Sequence, residues 1–152
     1  MITRTTATAL STLTLAVLAT AGAVPQSRVA SVDTAAGTAA AAAGTQRIVY
    51  FDFDSFTIKD EFKPMIESHA KALAALRTKK LTVEGHTDER GGSEYNLALG
   101  QKRAEAVVRS LALLGAGPAQ VEAVSFGEER PADTGHGETA WAKNRRAELK
   151  DR

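Results

Sequence analysis

A chain of 152 residues with 19 Lys and Arg against 18 Asp and Glu has room for one packed core and a tail, and it carries no charge excess of the kind that marks nucleic-acid or anionic-membrane binders. It contains no cysteine, which excludes disulfides, thiolate zinc sites, iron–sulfur clusters and a cysteine nucleophile from these residues. Folding must therefore rest on packing and hydrogen bonding.

Residues 1–23 run from Met-Ile-Thr-Arg through a short Ala, Leu, Thr and Val stretch to the small residues Ala19-Thr20-Ala21-Gly22-Ala23. A positive end, a brief apolar core and small residues spaced for cleavage are the order of an export signal, and the apolar run is short and threonine-interrupted for a membrane span. Export to the periplasm is the expectation. Residues 24–45 are dominated by Ala, Gly, Thr and Ser, with five alanines at Ala39 to Ala43. Such a segment has too little side-chain surface to offset chain entropy, so a flexible linker is expected ahead of a folded domain over 46–152. No repeat of 20–50 residues is visible.

In the folded part, the β-branched and aromatic run beginning at Arg47 predicts a strand that ends near Asp54. Phe62, Ile66, His69, Leu73 and Leu76 recur at helical spacing and predict an amphipathic helix over about 59–76. Leu81 to Gly85 reads as a second strand, and the polar, glycine-rich Gly85 to Gly92 as the loop leaving it. Ser93 has the acceptor oxygen of an N-cap for a long helix that buries Ala104, Val107, Val108, Leu111 and Leu114 and stops at Gly115. Val121 to Ser125 alternates as a half-buried strand, Gly127 and Pro131 mark a turn-rich connection, Glu138 to Asn144 a short helix, and Arg146 to Leu149 a final strand. The fold class expected is α/β: a single mixed-sheet α/β sandwich of βαβα-β-αβ order.

Ligands on such sheets collect where loops leave strand ends. Asp54 closes the first strand, Asp88 lies in the loop after the second, and Asn96, Leu99 and Arg103 share one face of the long helix. A guanidinium fork matches a carboxylate, and a carboxylate matches an ammonium. Asp88 and Arg103 together therefore suit a zwitterionic amino-acid head group, with Asn96 adding a directed hydrogen bond and the helix N-terminus favouring the anionic end. Spacing alone leaves a second reading open, in which Asp88 and Arg103 are a salt bridge tying loop to helix.

The segments Tyr50 to Asp54, Gly85 to Gly91, Glu94 to Gly100 with Arg103-Ala104, and Gly135-His136 with Asn144 to Arg146 together resemble the peptidoglycan-associated lipoproteins (Pal) of the Tol-Pal system, within the OmpA-like C-terminal-domain family. The resemblance runs from about Arg47 to Leu149 in unbroken order. It implies noncovalent binding of the diaminopimelate-containing stem peptide of peptidoglycan, with no reaction catalysed. Asp88 and Arg103 match the family's ligand-clamping pair, while Phe53, Asp54, Asn96 and Leu99 match positions lining the same pocket. It also implies TolB and other Tol-Pal components as partners, and a role in outer-membrane integrity and cell division. The family's lipidated cysteine has no counterpart in Leu18 to Gly22, so a lipid anchor there is not expected.

Two rival functions follow from the same residues. One is an adaptor for TolB in which Asp88 and Arg103 are structural. The other is a metal-assisted amidase drawing on His86, Asp88 and Glu89, with His69 and His136 more distant; it is disfavoured because no HExxH-type spacing places two histidines on one helix face. No cofactor is implied. His69 is expected as a packed, hydrogen-bonded histidine, His136 as a loop residue and Trp141 as a core plug. Of Arg145 and Arg146, one is expected on a helix carboxylate and the other in solvent.

Overall fold

The computed structural model describes residues 46–152. The expected leader and linker, residues 1–45, lie outside the described residues. The element order is β1 (Ile48–Tyr50), a single 3-10 turn (Asp60–Phe62), α1 (Lys63–Ala75), β2 (Leu81–His86), α2 (Ser93–Leu113), β3 (Val121–Gly127), α3 (Glu138–Asn144) and β4 (Arg146–Asp151). The four strands form one sheet in the order β1-β4-β2-β3. Strand β4 runs antiparallel to both of its neighbours, and β2 and β3 pair in parallel across the α2 crossover. This is the mixed α/β arrangement that the alternating pattern predicts.

Alternation along the strands divides the sheet into two unlike faces. Val49, Leu81, Val83, Ala147 and Leu149 meet Met65, Ile66 and Leu73 of α1 and Ala104, Val107 and Leu111 of α2 in one apolar core. The opposite residues, Thr82, Glu84 and His86 of β2 with Arg146, Glu148 and Lys150 of β4, face away from the helices. Helix α2 lies unusually close to β2. A Cβ placed on Gly85 would collide with the Gly100 carbonyl, and one on Gly100 would meet Ser125 Oγ and the Gly85 backbone. Glycine at both positions is what permits this contact. Gln120, buried just ahead of β3, ties the far end together, its two amide N–H groups shared among the carbonyls of Leu73, Leu76 and Lys79 while its oxygen accepts from Gly117 N–H.

Several boundaries differ from the sequence reading for local reasons. Strand β1 is three residues long, because the chain turns at Phe53-Asp54 and Asp54 adopts a left-handed φ of 52°. The helix expected from residue 59 begins as a 3-10 turn and becomes α-helical at Lys63, with Pro64 in its first turn. Leu76 and Leu114, expected on apolar faces, sit just past their helices and are exposed. Ser93 does not cap α2: Gly92 is the N-cap, its carbonyl accepting the Asn96 N–H at 2.9 Å, and no side chain caps the helix. Gly115 does end the helix, at φ 114°. Strand β4 extends two residues beyond Leu149, and α3 spans the residues expected. Among the described residues no helix is long and apolar enough to cross a membrane.

Candidate functional site

The ends of β1 and β2 and the start of α2 enclose a cleft of about 200 Å³ lined by Phe53, Asp54, Thr87, Asp88, Arg90, Gly91, Tyr95, Asn96, Leu99 and Arg103. All six site residues expected from the sequence, Phe53, Asp54, Asp88, Asn96, Leu99 and Arg103, are on that wall. Phe53 and Asp54 lie at the rim, exposed, while Asp88, Asn96, Leu99 and Arg103 are buried.

Arg103 is the hub. Its side chain is fully buried and donates to three backbone carbonyls: Nε to Ser55 at 2.8 Å, Nη1 to His86 at 2.9 Å and Nη2 to Asp52 at 3.1 Å. It thereby fastens the loop after β1 to the end of β2. A guanidinium has five N–H donors, so two are not used by these bonds. Burial pulls its pKa down to about 10, opposed by the nearby Asp88 charge, and it stays cationic at neutral pH.

Asp88 is organised by Arg90. Its Oδ1 accepts from the Arg90 backbone N–H at 3.0 Å and from Nε at 3.2 Å, and its Oδ2 from Nη2 at 2.8 Å. Arg145 approaches the same oxygen to 3.6 Å. Burial pushes the Asp88 pKa up, but the Arg90 hydrogen bonds outweigh it and hold the carboxyl below its ordinary value. The Arg90 guanidinium lies between the rings of Phe53 and Trp141, 4.0 and 4.1 Å from their centroids. Trp141 is therefore half-buried and stacked on an arginine, with Nε1 donating to Glu89, rather than plugged into the core.

The direct Asp88–Arg103 salt bridge considered from spacing does not form; each charge has its own partners. Asn96 is also committed, its Nδ2 donating to the Arg90 carbonyl at 3.0 Å and to Glu128 at 2.7 Å, so it shapes the cleft wall. Tyr95, which the sequence reading passed over, donates its hydroxyl to Asp54, and that hydrogen bond raises the phenol pKa. Arg90 was passed over too, although its place two residues after an Asp in a glycine-rich loop is the available signal.

The histidines do not converge. His69 Nε2 contacts the Gln46 carbonyl at 2.8 Å, the packed role expected of it. His136 is exposed and pairs with Glu89 at 2.7 Å, which raises its pKa. His86 stacks on Phe126, 5.6 Å between centroids. Burial is the main cause that brings its pKa down to about 4, with Arg146 adding to it. The ligand set of the amidase reading is thus not assembled. Neither Arg145 nor Arg146 is solvated, since both are buried: Arg145 on Glu138 and the Phe51 carbonyl, Arg146 on Glu148 and the carbonyls of Asn144 and Arg130.

With this geometry in place, a family model described as the OmpA family matches residues 50–145. The chain belongs to the OmpA family. It is 54% identical over 101 residues to a peptidoglycan-associated lipoprotein of Pseudomonas aeruginosa, a match covering 66% of this chain and 60% of that one. It is 52% identical over 101 residues to the protein of that name from Pasteurella multocida, covering 66% and 67%. The crystal structure of the peptidoglycan-associated lipoprotein from Burkholderia pseudomallei superposes with a TM-score of 0.71 at 53% identity, over 72% of this chain and 93% of that one. The C-terminal domain of Helicobacter pylori MotB shares the fold with a TM-score of 0.65 at 24% identity. The match to the Pseudomonas relative leaves two fifths of that protein uncovered, so what is similar is the OmpA-family domain.

Proposed function

We propose that this domain binds peptidoglycan noncovalently in the periplasm and makes or breaks no bond. The observation that carries the reading is one cleft in which a buried carboxylate and a buried guanidinium are each held by other groups and each keep spare capacity. Asp88 retains roughly one free lone-pair position and Arg103 two N–H groups. Opposite charges that do not neutralise each other are suited to the two ends of a zwitterion, and preorganisation lowers the ordering cost of binding.

The finer reading is that the ligand is the free amino-acid end of diaminopimelate in the stem peptide, its ammonium on Asp88 and its carboxylate toward Arg103. Leu99 supplies an apolar wall and Phe53 and Asp54 the rim. The relatives named for association with peptidoglycan support this choice of polymer. Tol-Pal components, TolB among them, and a part in envelope integrity and cell division belong to the same proposal. A metal-assisted amidase finds no support, because the cleft holds no histidine.

The test is retention of the purified chain on diaminopimelate-type sacculi, comparing wild type with Asp88→Ala and Arg103→Lys after each is shown to fold. Loss of a charge-assisted hydrogen bond costs about 1.5–3 kcal/mol, so Asp88→Ala should weaken retention tenfold or more. Equal retention by all three variants would remove the cleft from the binding surface and favour the TolB-adaptor reading, and no retention of wild type would sink wall binding itself.

A further inference from the structure

The helix-free face of the sheet carries a second cluster of ionisable groups, which the cleft does not use. Glu84 and Glu148 stand directly opposite each other in the β2–β4 register, and His86 follows Glu84 by two residues on the same face. One donor atom from each residue lies within 4.8 Å of the other two. His86 is 2% exposed, and neither of its ring nitrogens has a hydrogen-bond partner. Its Nε2 stops 3.9 Å from Glu84 Oε2, beyond hydrogen-bond reach.

Two facts make this cluster unusual for a merely structural one. A buried polar group without a partner is destabilising, and here one imidazole leaves both a donor and an acceptor unmade. Carboxylates directly opposite each other across a strand pair repel unless a cation joins them. Lys150 now serves that purpose, its Nζ 2.7 Å from Glu84 Oε2 and 3.3 Å from Glu148 Oε2, with Arg146 on the other Glu148 oxygen at 2.6 Å. The lysine contact to Glu84 lacks hydrogen-bond geometry, and the lysine side chain is half exposed and able to swing into solvent. The cluster already selects for positive charge and holds it with a replaceable group.

We propose that Glu84, His86 and Glu148 form a binding site for a first-row divalent cation, with zinc the best match, which enters by displacing the Lys150 ammonium. One imidazole nitrogen and two carboxylate oxygens are a three-ligand set suited to zinc, whereas calcium takes six to eight oxygens. Ligand distances of about 2.0–2.2 Å place tetrahedral donors roughly 3.3–3.5 Å apart, so binding needs the three side chains to close by about an ångström. The site sits behind the ligand cleft: the His86 carbonyl accepts from Arg103, and Thr87 and Asp88 follow directly in the chain. An ion there pins the strand end that carries Asp88, a structural role that stands apart from the peptidoglycan reading.

Titrating zinc into the chelator-stripped full chain against a chromophoric competitor tests the site. One zinc per chain is expected, with Glu84→Gln and Glu148→Gln each weakening binding at least tenfold and Lys150→Met tightening it by removing the competing charge. His136→Ala should leave the titration unchanged. Since the glutamate variants alter neither size nor core packing, they remain informative even where His86→Gln fails to fold. The proposal is overturned by absence of saturable binding in the micromolar range, by zinc affinity indifferent to both glutamates, by weakening in Lys150→Met, or by loss of binding in His136→Ala, which would place the ion on the exposed Glu89–His136 pair.

Discussion

The two faces of strand β2 solve the same problem, that of fixing one strand in the middle of a sheet, by different physics. Toward the helices, Leu81, Val83 and Gly85 present an apolar, sterically exact fit in which the backbone of α2 all but touches that of β2. Away from the helices, Thr82, Glu84 and His86 present charge and an orphaned imidazole, balanced by residues of β4. The first face is intolerant of volume and indifferent to pH; the second is governed by protonation and counter-ions. The cleft forms where the two meet, at the C-terminal end of β2.

Volume is the sharpest way to break that contrast. Gly85→Ala should destabilise the domain by about 3 kcal/mol or more, because the new methyl meets backbone atoms that cannot rotate away. Denaturant unfolding would show it as a large drop in midpoint, and the cleft should lose its geometry as α2 is pushed from the sheet. A midpoint near that of the wild type would mean that α2 does not lie against β2 as described.

Next in size is Arg103→Met, which leaves the carbonyls of Asp52, Ser55 and His86 without their buried donor. A cost of about 2–4 kcal/mol is expected. Arg90→Met removes a partly exposed side chain and should cost less, about 1–2 kcal/mol, while freeing Asp88 from its main partner. If the two variants lose equal stability, the hub role of Arg103 is mistaken.

Protonation sharpens the other side of the comparison. His86 has its pKa lowered from 6.5 to about 4 in the folded chain, so the unfolded chain takes up a proton more readily. The stability contributed by the neutral ring is present above pH 6.5 and is lost as pH falls from about 6.5 toward 4. Melting temperature should decline across that window in wild type and decline less in His86→Leu. Asp88 and Glu148, whose pKa values are lowered, lose their contributions as pH falls through and below the ordinary carboxylate range, so most of the His86 effect lies at higher pH than theirs. Smallest of all, Arg152→Ala breaks an exposed ion pair with Glu122 and should change stability by no more than about 0.5–1 kcal/mol.

How much of this was legible beforehand depended on whether a signal was local. Strand and helix existence followed from period-two and helical spacing, and α3, too short to show periodicity well, still fell on Glu138–Asn144. Terminal residues were misplaced where apolar side chains continue beyond a helix end, as at Leu76 and Leu114. Five of the cleft residues could be gathered from chain position and spacing and Phe53 from the family resemblance, but not their hydrogen bonds. Arg103 bonds to backbone carbonyls, which no side-chain pattern encodes, and Arg90 takes the carboxylate that spacing alone could equally have given to Arg103. The pairing of Glu84 with Glu148 is likewise invisible in sequence, since it depends on the register of two strands more than sixty residues apart.

As proposed above, the cleft reads the two charged ends of one amino-acid group. Calorimetric titration of the full chain with a diaminopimelate-containing muropeptide, and in parallel with its lysine-containing counterpart, which lacks the second carboxylate, tests it directly. Saturable binding of the first is expected, with at least tenfold weaker binding of the second and loss of that preference in Arg103→Lys. Equal affinity for the two muropeptides would contradict it.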